Sequence, residues 1–110
     1  MAQDLKRGTL EMILLTLLSE REMYGYEITT AVDQRTGGRL GIGEGTLYPV
    51  LYRLEEAGFV APRWEAEGRG RPRKYYRVTA EGAEELRRLV AEWQTFTGAI
   101  ASVLKGGSDT

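Results

Sequence analysis

The chain begins with an apolar pattern that covers nearly every face of a helix. Between residue 9 and about residue 20 the apolar positions are Leu10, Met12, Ile13, Leu14, Leu15, Leu17 and Leu18. A helix that is apolar on all sides must be buried on all sides. We therefore expect one side to face the chain's own core and the other, with Leu14, to face a second subunit. The alternative is a central helix in a monomer.

A second helical stripe and a glycine-rich connector follow. Residues 24–35 are predicted to form a helix with a narrow apolar stripe, and Thr36-Gly37-Gly38 ends it. The stripe consists of Ile28, Ala31 and Val32. Residues 39–43 carry two apolar side chains between glycines and are compatible with a short strand.

The third helix has a clear apolar face and an uncertain beginning. Its apolar positions are Leu47, Val50, Leu51 and Leu54. Gly58 follows where the pattern ends, as expected of a helix stop. With Thr46 as the N-cap, Pro49 falls in the first turn, where its missing N–H costs nothing. If the helix begins at Gly43, Pro49 disturbs it locally.

The opposite face of the third helix is unusual for a helix that only meets water. At about 100° per residue it consists of Gly45, Pro49, Tyr52 and Glu56, flanked by Thr46, Tyr48 and Arg53. Exposed tyrosines, a threonine and an arginine beside small residues can approach a polar, grooved partner closely. The alternative is an ordinary amphipathic surface helix.

Two predicted strands complete a recognisable order of elements. Phe59, Val60 and Trp64 lead the first strand, in which Pro62 marks an edge or a bulge. Residues 67–72 form a turn, and residues 73–78 form a second strand antiparallel to the first. Helix, helix, helix and hairpin is the order of a winged helix-turn-helix, whose third helix enters the major groove of DNA. We therefore predict a mainly α fold with a small β-hairpin.

The last predicted helix, residues 79–104, carries a heptad pattern. Leu86, Trp93 and Ile100 occupy the a positions, and Leu89, Phe96 and Val103 the d positions. We expect this seam to form a dimer interface with the same helix of a second copy. The sequence thus divides into a DNA-binding domain (residues 1–78), a dimerisation helix (79–104) and a disordered tail (105–110).

Two large rings in the seam suggest a ligand site. Coiled-coil a positions prefer branched aliphatic side chains, yet Trp93 and Phe96 stand together in the middle of the helix. Near a twofold axis, four such rings are hard to pack densely. The resulting slot would suit a planar, apolar or cationic molecule through stacking and cation–π contact. The alternative is that both rings fill a dry interface.

Composition narrows the possible functions. The 110 residues include no cysteine and no histidine, which removes disulfides, thiol chemistry, the commonest general base and the commonest zinc ligand. The longest apolar run, residues 12–18, is far short of the ~20 residues that cross a bilayer. We expect no cofactor, no metal, no enzymatic activity, no membrane association and a cytoplasmic location.

The net charge of −1 conceals a local excess of positive charge. Across residues 63–77, six basic residues stand against two glutamates, a local charge of +4. The predicted DNA contacts of this hairpin are Arg69, Arg71, Arg73 and Lys74. Lys6 and Arg7 can add phosphate contacts before the first helix. A hairpin whose arginines only maintain solubility is the alternative, and the overall charge leaves a winged helix used as a protein–protein module open.

Three of these segments together resemble one family. In chain order they read YGYEI at residues 24–28, GTLYPVLYRLEEAG at 45–58 and GRPRKYYRVT at 70–79. This set is similar to the PadR family of bacterial transcription regulators over roughly residues 8–82. The resemblance implies a winged-helix dimer, joined through its last helix, that binds an operator with dyad symmetry and usually represses. The short last helix is similar to the multidrug-sensing subgroup, which implies release of DNA by a small aromatic effector.

Overall fold

The structure of the protein, a computed structural model, describes the backbone of residues 2–66 and 70–106 and, within these ranges, the side chains from residue 8 onward. The described residues form four helices and three strands: α1 (Ala2–Glu20), β1 (Met23–Tyr24), α2 (Gly25–Thr36), α3 (Glu44–Glu56), β2 (Val60–Glu65), β3 (Arg73–Val78) and α4 (Ala80–Leu104). The predicted order of three helices, a hairpin and a last helix is confirmed. Arg69 and residues 107–110 of the predicted tail lie outside the described residues.

The three strands form one antiparallel sheet in the order β1-β3-β2. β2 is therefore an edge strand, which agrees with the prediction from Pro62, because a proline cannot donate to a neighbouring strand. β1 includes Tyr24, which was predicted to open the second helix. Met23 and Tyr24 extend because they pair with Tyr76 and Tyr75 of β3. The suggested strand at residues 39–43 is wrong, since the connector there is irregular.

The core surrounds α1. Leu14, Leu15, Leu17 and Leu18 are buried with the leucines of α3 and with Ile28, Val32, Val60 and Tyr76. The prediction that Leu14 lies at a dimer interface is wrong for this reason: its side chain is 1% exposed within a single chain. α3, α4 and β3 all pack against α1. The four leucines therefore lie at the centre of a single chain, as the alternative for this helix expected.

The start of α3 is now defined. Gly43 is the N-cap, with extended backbone, and the backbone N–H of Leu47 donates to its carbonyl at 3.0 Å. Thr46 is therefore inside the helix, and so is Pro49. Inside a helix, a proline ring crowds the carbonyl of the residue four positions earlier, which for Pro49 is Gly45. At the other end Gly58 has a φ of 84°, as a left-handed helix stop requires.

A cap and a close contact fix the direction in which α4 leaves the sheet. The hydroxyl of Thr79 accepts from the backbone N–H of Gly82 at 3.0 Å and donates to the carbonyl of Gly58 at 2.6 Å. Gly82 is buried, and a Cβ at this position would overlap the carbonyl oxygen of Phe59. The first turn of α4 thus packs directly on the turn that joins α3 to β2.

Candidate nucleic-acid interface and helix α4

The two faces of α3 differ as the sequence predicts. Leu47, Val50, Leu51 and Leu54 are buried in the core. Four of the five α3 residues predicted to contact DNA on the other faces are exposed: Thr46, Pro49, Tyr52 and Arg53. Arg53 Nε lies 3.9 Å from Glu11 Oε2 of α1, and an exposed pair of this kind contributes only about 0–1 kcal/mol. The guanidinium of Arg53 can therefore exchange Glu11 for another anion.

Tyr48 and Tyr52 form an aromatic edge along α3. Their ring centroids are 5.9 Å apart, since positions i and i+4 share a helix face. The Tyr48 hydroxyl lies against Gly25 at the start of α2, where any Cβ would collide with it. Burial and the nearby carboxylate of Glu44 raise the pKa of Tyr48, so its hydroxyl remains a neutral hydrogen-bond donor. Tyr52 is more exposed and faces the hairpin.

The hairpin carries its cations in different environments. Arg71 is exposed in the loop between the strands. The guanidinium of Arg73 lies 4.7 Å from the centroid of the Tyr24 ring, a cation–π contact to β1. Arg63, which belongs to the same basic segment, donates to Glu22 at 2.7 Å and to Glu65 at 2.7 Å. This pairing lowers the pKa of Glu22 and leaves less of the hairpin's positive charge for a partner.

Lys74 points away from the loop and toward α3. Its ammonium group donates to Glu55 Oε1 at 3.2 Å. Burial disfavours the charged form of Lys74, but Glu55 and Tyr76 together outweigh it through hydrogen bonding and charge, so the pKa of Lys74 is raised. Sequence reasoning found Lys74 and missed Glu55, because a pairing of residues 19 positions apart leaves no trace in local pattern.

An open cleft lies between the start of α2, α3 and the hairpin. Its volume is about 340 Å³. Tyrosine and tryptophan rings line it together with the two neighbouring cations of β3, and the full set is Tyr24, Gly25, Tyr48, Tyr52, Trp64, Pro72, Arg73, Lys74 and Tyr76. Such a surface combines ring faces, hydroxyl donors and positive charge, the groups that proteins use against the backbone of a nucleic acid.

The predicted seam of α4 divides into two parts. Leu86 and Leu89 pack against the core of their own chain. Beyond them the seam is bare: Trp93 is 39% exposed, Phe96 37% and Val103 76%. Ile100 is exposed as well. A single chain therefore leaves a continuous apolar strip along the last turns of α4.

Trp93 also borders an apolar cavity of about 360 Å³ between α1, α2 and α4. Met12 and Ile13 of α1 and Val32 of α2 contribute to its walls. The Trp93 and Phe96 rings have centroids 6.1 Å apart and are tilted by 40°. Trp93 thus borders the cavity, and Phe96 stands next to it as a partly exposed ring.

Two further classes of site find no support in the described part of the chain. None of its helices combines the length and apolar character needed to span a bilayer. Its described side chains contain no group of three or more His, Cys, Asp or Glu that could hold a metal ion.

The fold and this surface define a class of protein: a winged helix-turn-helix, with α3 as the presented helix and β2–β3 as the wing. Comparison with known proteins identifies the family. The model described as "Transcriptional regulator PadR-like family" matches residues 14–88. The chain belongs to this family, and it is a transcriptional regulator, not an enzyme.

Individual relatives agree in sequence and in structure. The chain is 38% identical over 103 residues to "Uncharacterized protein X" of Lysinibacillus sphaericus, covering 94% of both. It is 31% identical to the negative transcriptional regulator PadR of Bacillus subtilis, over 70% of this chain and 42% of that protein. A solved transcriptional regulator from Clostridium thermocellum is similar with a TM-score of 0.83 and 34% identity, over 90% of this chain and 96% of that one.

Proposed function

We propose that this protein is a sequence-specific DNA-binding repressor that acts as a homodimer. The observation that carries the proposal is the placement of two unlike surfaces on one chain. α3 and the wing present rings, hydroxyls and cations on one side, while the end of α4 presents an apolar strip. The first surface suits the edges and backbone of a DNA duplex, and the second suits another copy of itself.

In this proposal α3 lies in the major groove. Thr46, Tyr48, Pro49 and Tyr52 contact base edges or sugars, and Arg53 contacts a phosphate or a guanine. Arg69, Arg71 and Arg73 serve the wing at the adjacent backbone or minor groove, and Lys6 and Arg7 add phosphate contacts. Thr46, Pro49, Arg53 and Arg71 are exposed, as this role requires.

The proposed dimer forms through α4 and gives the operator its dyad symmetry. Trp93, Phe96, Ile100 and Val103 meet the same residues of the second copy, while Leu86 and Leu89 support the base of the interface from within each chain. Repression is the direction that the printed name of the Bacillus subtilis relative supports, since that protein is a negative regulator.

We further propose that a planar aromatic molecule releases the protein from DNA by binding at Trp93 and Phe96. The cavity beside Trp93 and the partial exposure of both rings support this, because stacking needs accessible ring faces. The helix that carries the rings also joins the two DNA-binding domains, so a bound molecule can change the spacing of the two α3 helices. Release follows only if the molecule prefers the spacing that does not match the operator.

Capture of genomic DNA tests the main proposal. Purified protein is mixed with sheared genomic fragments, and the retained fragments are sequenced and footprinted. We expect a small set of sites with dyad symmetry and affinities at least about 10³-fold above random duplex at physiological salt. A variant with Tyr52→Ala and Arg53→Ala should lose this enrichment while remaining folded. Retention of all fragments alike, or of none, contradicts the proposal.

The sign of regulation needs its own measurement. A reporter gene placed behind a captured site should be silenced when the protein is present, and the Tyr52→Ala, Arg53→Ala variant should restore its expression. Higher expression with the wild-type protein would make it an activator.

A further inference from the structure

The ammonium group of Lys74 sits in a cage made by three elements. Besides Glu55, it lies 5.5 Å from the centroid of the Tyr52 ring, 5.6 Å from that of Trp64 and 5.2 Å from that of Tyr76. These rings belong to α3, β2 and β3. A cation within about 6 Å of a ring face is attracted to it. One side chain of the wing is thus held by α3 and by both of its own strands.

The register of the hairpin explains why Lys74 points this way. Side chains two positions apart on a strand share a face. Tyr76 is buried in the core, so Lys74 lies on the same, inward face of β3, one step beyond the edge of the core. Its partner across the hairpin is Trp64. The position therefore faces α3, whereas Arg73 lies on the other face, against Tyr24.

We propose that Lys74 is a positioning residue, which fixes the wing against α3, and that it does not bind a phosphate of the DNA. The inference rests on the proposed DNA binding and changes the role predicted for this lysine from the sequence. The ammonium already has a carboxylate partner and three ring faces, and only a quarter of its side chain is exposed. Reaching a phosphate would require it to leave all four.

The proposal gives Glu55 a function in DNA binding, which it would not have if Lys74 contacted a phosphate directly. DNA repels carboxylates, so removing one from α3 tightens binding if Lys74 is simply released to a phosphate. If Lys74 and Glu55 together hold the wing, the same change loosens the wing and weakens binding. The sign of the Glu55→Gln effect therefore separates the two roles.

The test compares Glu55→Gln with Glu56→Gln, which removes the same charge from the next position of α3. We expect Glu55→Gln and Lys74→Met each to weaken binding to a captured operator by roughly threefold to tenfold. The double variant should bind the operator as well as the weaker-binding of the two single variants does, because both changes break the same contact. Glu56→Gln should bind as the wild type does or more tightly. Lys74→Arg, which keeps the charge, should restore part of the affinity.

A second readout concerns the cage itself. In a Trp93→Phe background Trp64 is the only tryptophan. Its emission should shift in both Glu55→Gln and Lys74→Met, since the ammonium leaves or moves from the ring, and stay unchanged in Glu56→Gln. This measurement needs no DNA, and thermal unfolding on the same samples reports whether each variant is folded. If Lys74→Met does not fold, Glu55→Gln carries the comparison.

Binding to random duplex at several salt concentrations supplies the contrary outcome. Loss of a phosphate contact lowers the slope of log K against log salt by about 0.9. The inference is overturned if Lys74→Met lowers the slope by that amount while Glu55→Gln binds at least as tightly as the wild type. If the wild-type protein binds no DNA, the proposed function is overturned and this role with it. If the wild type binds but Glu55→Gln does not weaken binding, only the role of Lys74 is overturned.

Discussion

The winged-helix head, from α1 to β3, and the last turns of α4 differ in what covers their apolar faces. On α3 the apolar face is closed within the chain, and Leu51 is fully buried. On α4 the equivalent face is closed only at its base, and at the far end Leu104 is 80% exposed. The head therefore presents polar and aromatic groups to its surroundings, and the end of α4 presents apolar ones.

The difference indicates two kinds of partner for one chain. An apolar strip gains free energy by leaving water, at roughly 25 cal/mol per Å², and this gain hardly depends on salt. A surface of arginines and tyrosine hydroxyls gains from contact with an anionic backbone, and this gain falls steeply with salt. Assembly and DNA binding should therefore respond to different substitutions and to different conditions.

We expect the largest effect from substitutions that break the apolar strip. Changing Phe96 and Ile100 to Asp removes two side chains whose burial contributes about 1.5–3 kcal/mol each, and a symmetric dimer loses them twice. We expect monomers in sedimentation analysis at micromolar concentration. Leu89 is left intact because it packs on its own chain's core.

The control places the same charges on the opposite side of α4. Gln94→Asp with Ser102→Asp should leave the molecular mass unchanged. A Phe96→Asp, Ile100→Asp variant that still sediments as a stable dimer would show that the interface lies elsewhere.

The next effect compares two glycines of the same helix. Gly82→Ala forces a methyl group against the carbonyl of Phe59, a backbone atom that cannot rotate away, and should cost about 1–3 kcal/mol in the free energy of unfolding. Gly98 has open space around its Cβ position, so Gly98→Ala should stabilise the helix by up to about 1 kcal/mol. Denaturant unfolding at one protein concentration measures both. Equal effects would mean that the first turn of α4 does not pack against the backbone of Phe59.

We expect a smaller effect from removing one cation of the DNA-binding surface. Arg71→Ala removes an exposed wing cation and should lower the salt slope of DNA binding by about 0.9. Arg88→Ala makes the same chemical change on α4, where the guanidinium pairs with Glu85 and Glu92, and should leave the slope unchanged. Dimerisation should be unaffected by either. An Arg71→Ala slope equal to that of the wild type would place this arginine away from the phosphates.

The smallest expected signal concerns the open space beside Trp93. Titration with planar aromatic dyes should quench tryptophan emission in the wild type more than in Trp93→Ala, where Trp64 alone remains. Addition of the same dye to the protein–operator complex should release DNA if the proposed coupling holds. Equal quenching in both proteins would make Trp93 an interface residue without a ligand.

The periodicity of the chain determined its local elements. The leucine spacing of α3, the glycine that ends it and the aromatic and branched residues between Arg73 and Val78 are short-range signals, and a helix and a strand form there. The exposed face of α3 follows from the same spacing, because a helix that buries one face must present the other. The family can be identified from the sequence as well, since each of its three motifs is an unbroken stretch of the chain.

Only the tertiary structure decided which side chains remain available. Leu14 is as apolar as its neighbours on α1, yet it is enclosed because α3, α4 and β3 converge on that helix. Lys74 carries the same charge as Arg71, yet it faces Glu55 and three rings because the pleat of β3 turns it inward. β1 extends because β3 offers it a partner. These outcomes depend on contacts between residues far apart in the chain, which a local pattern does not encode.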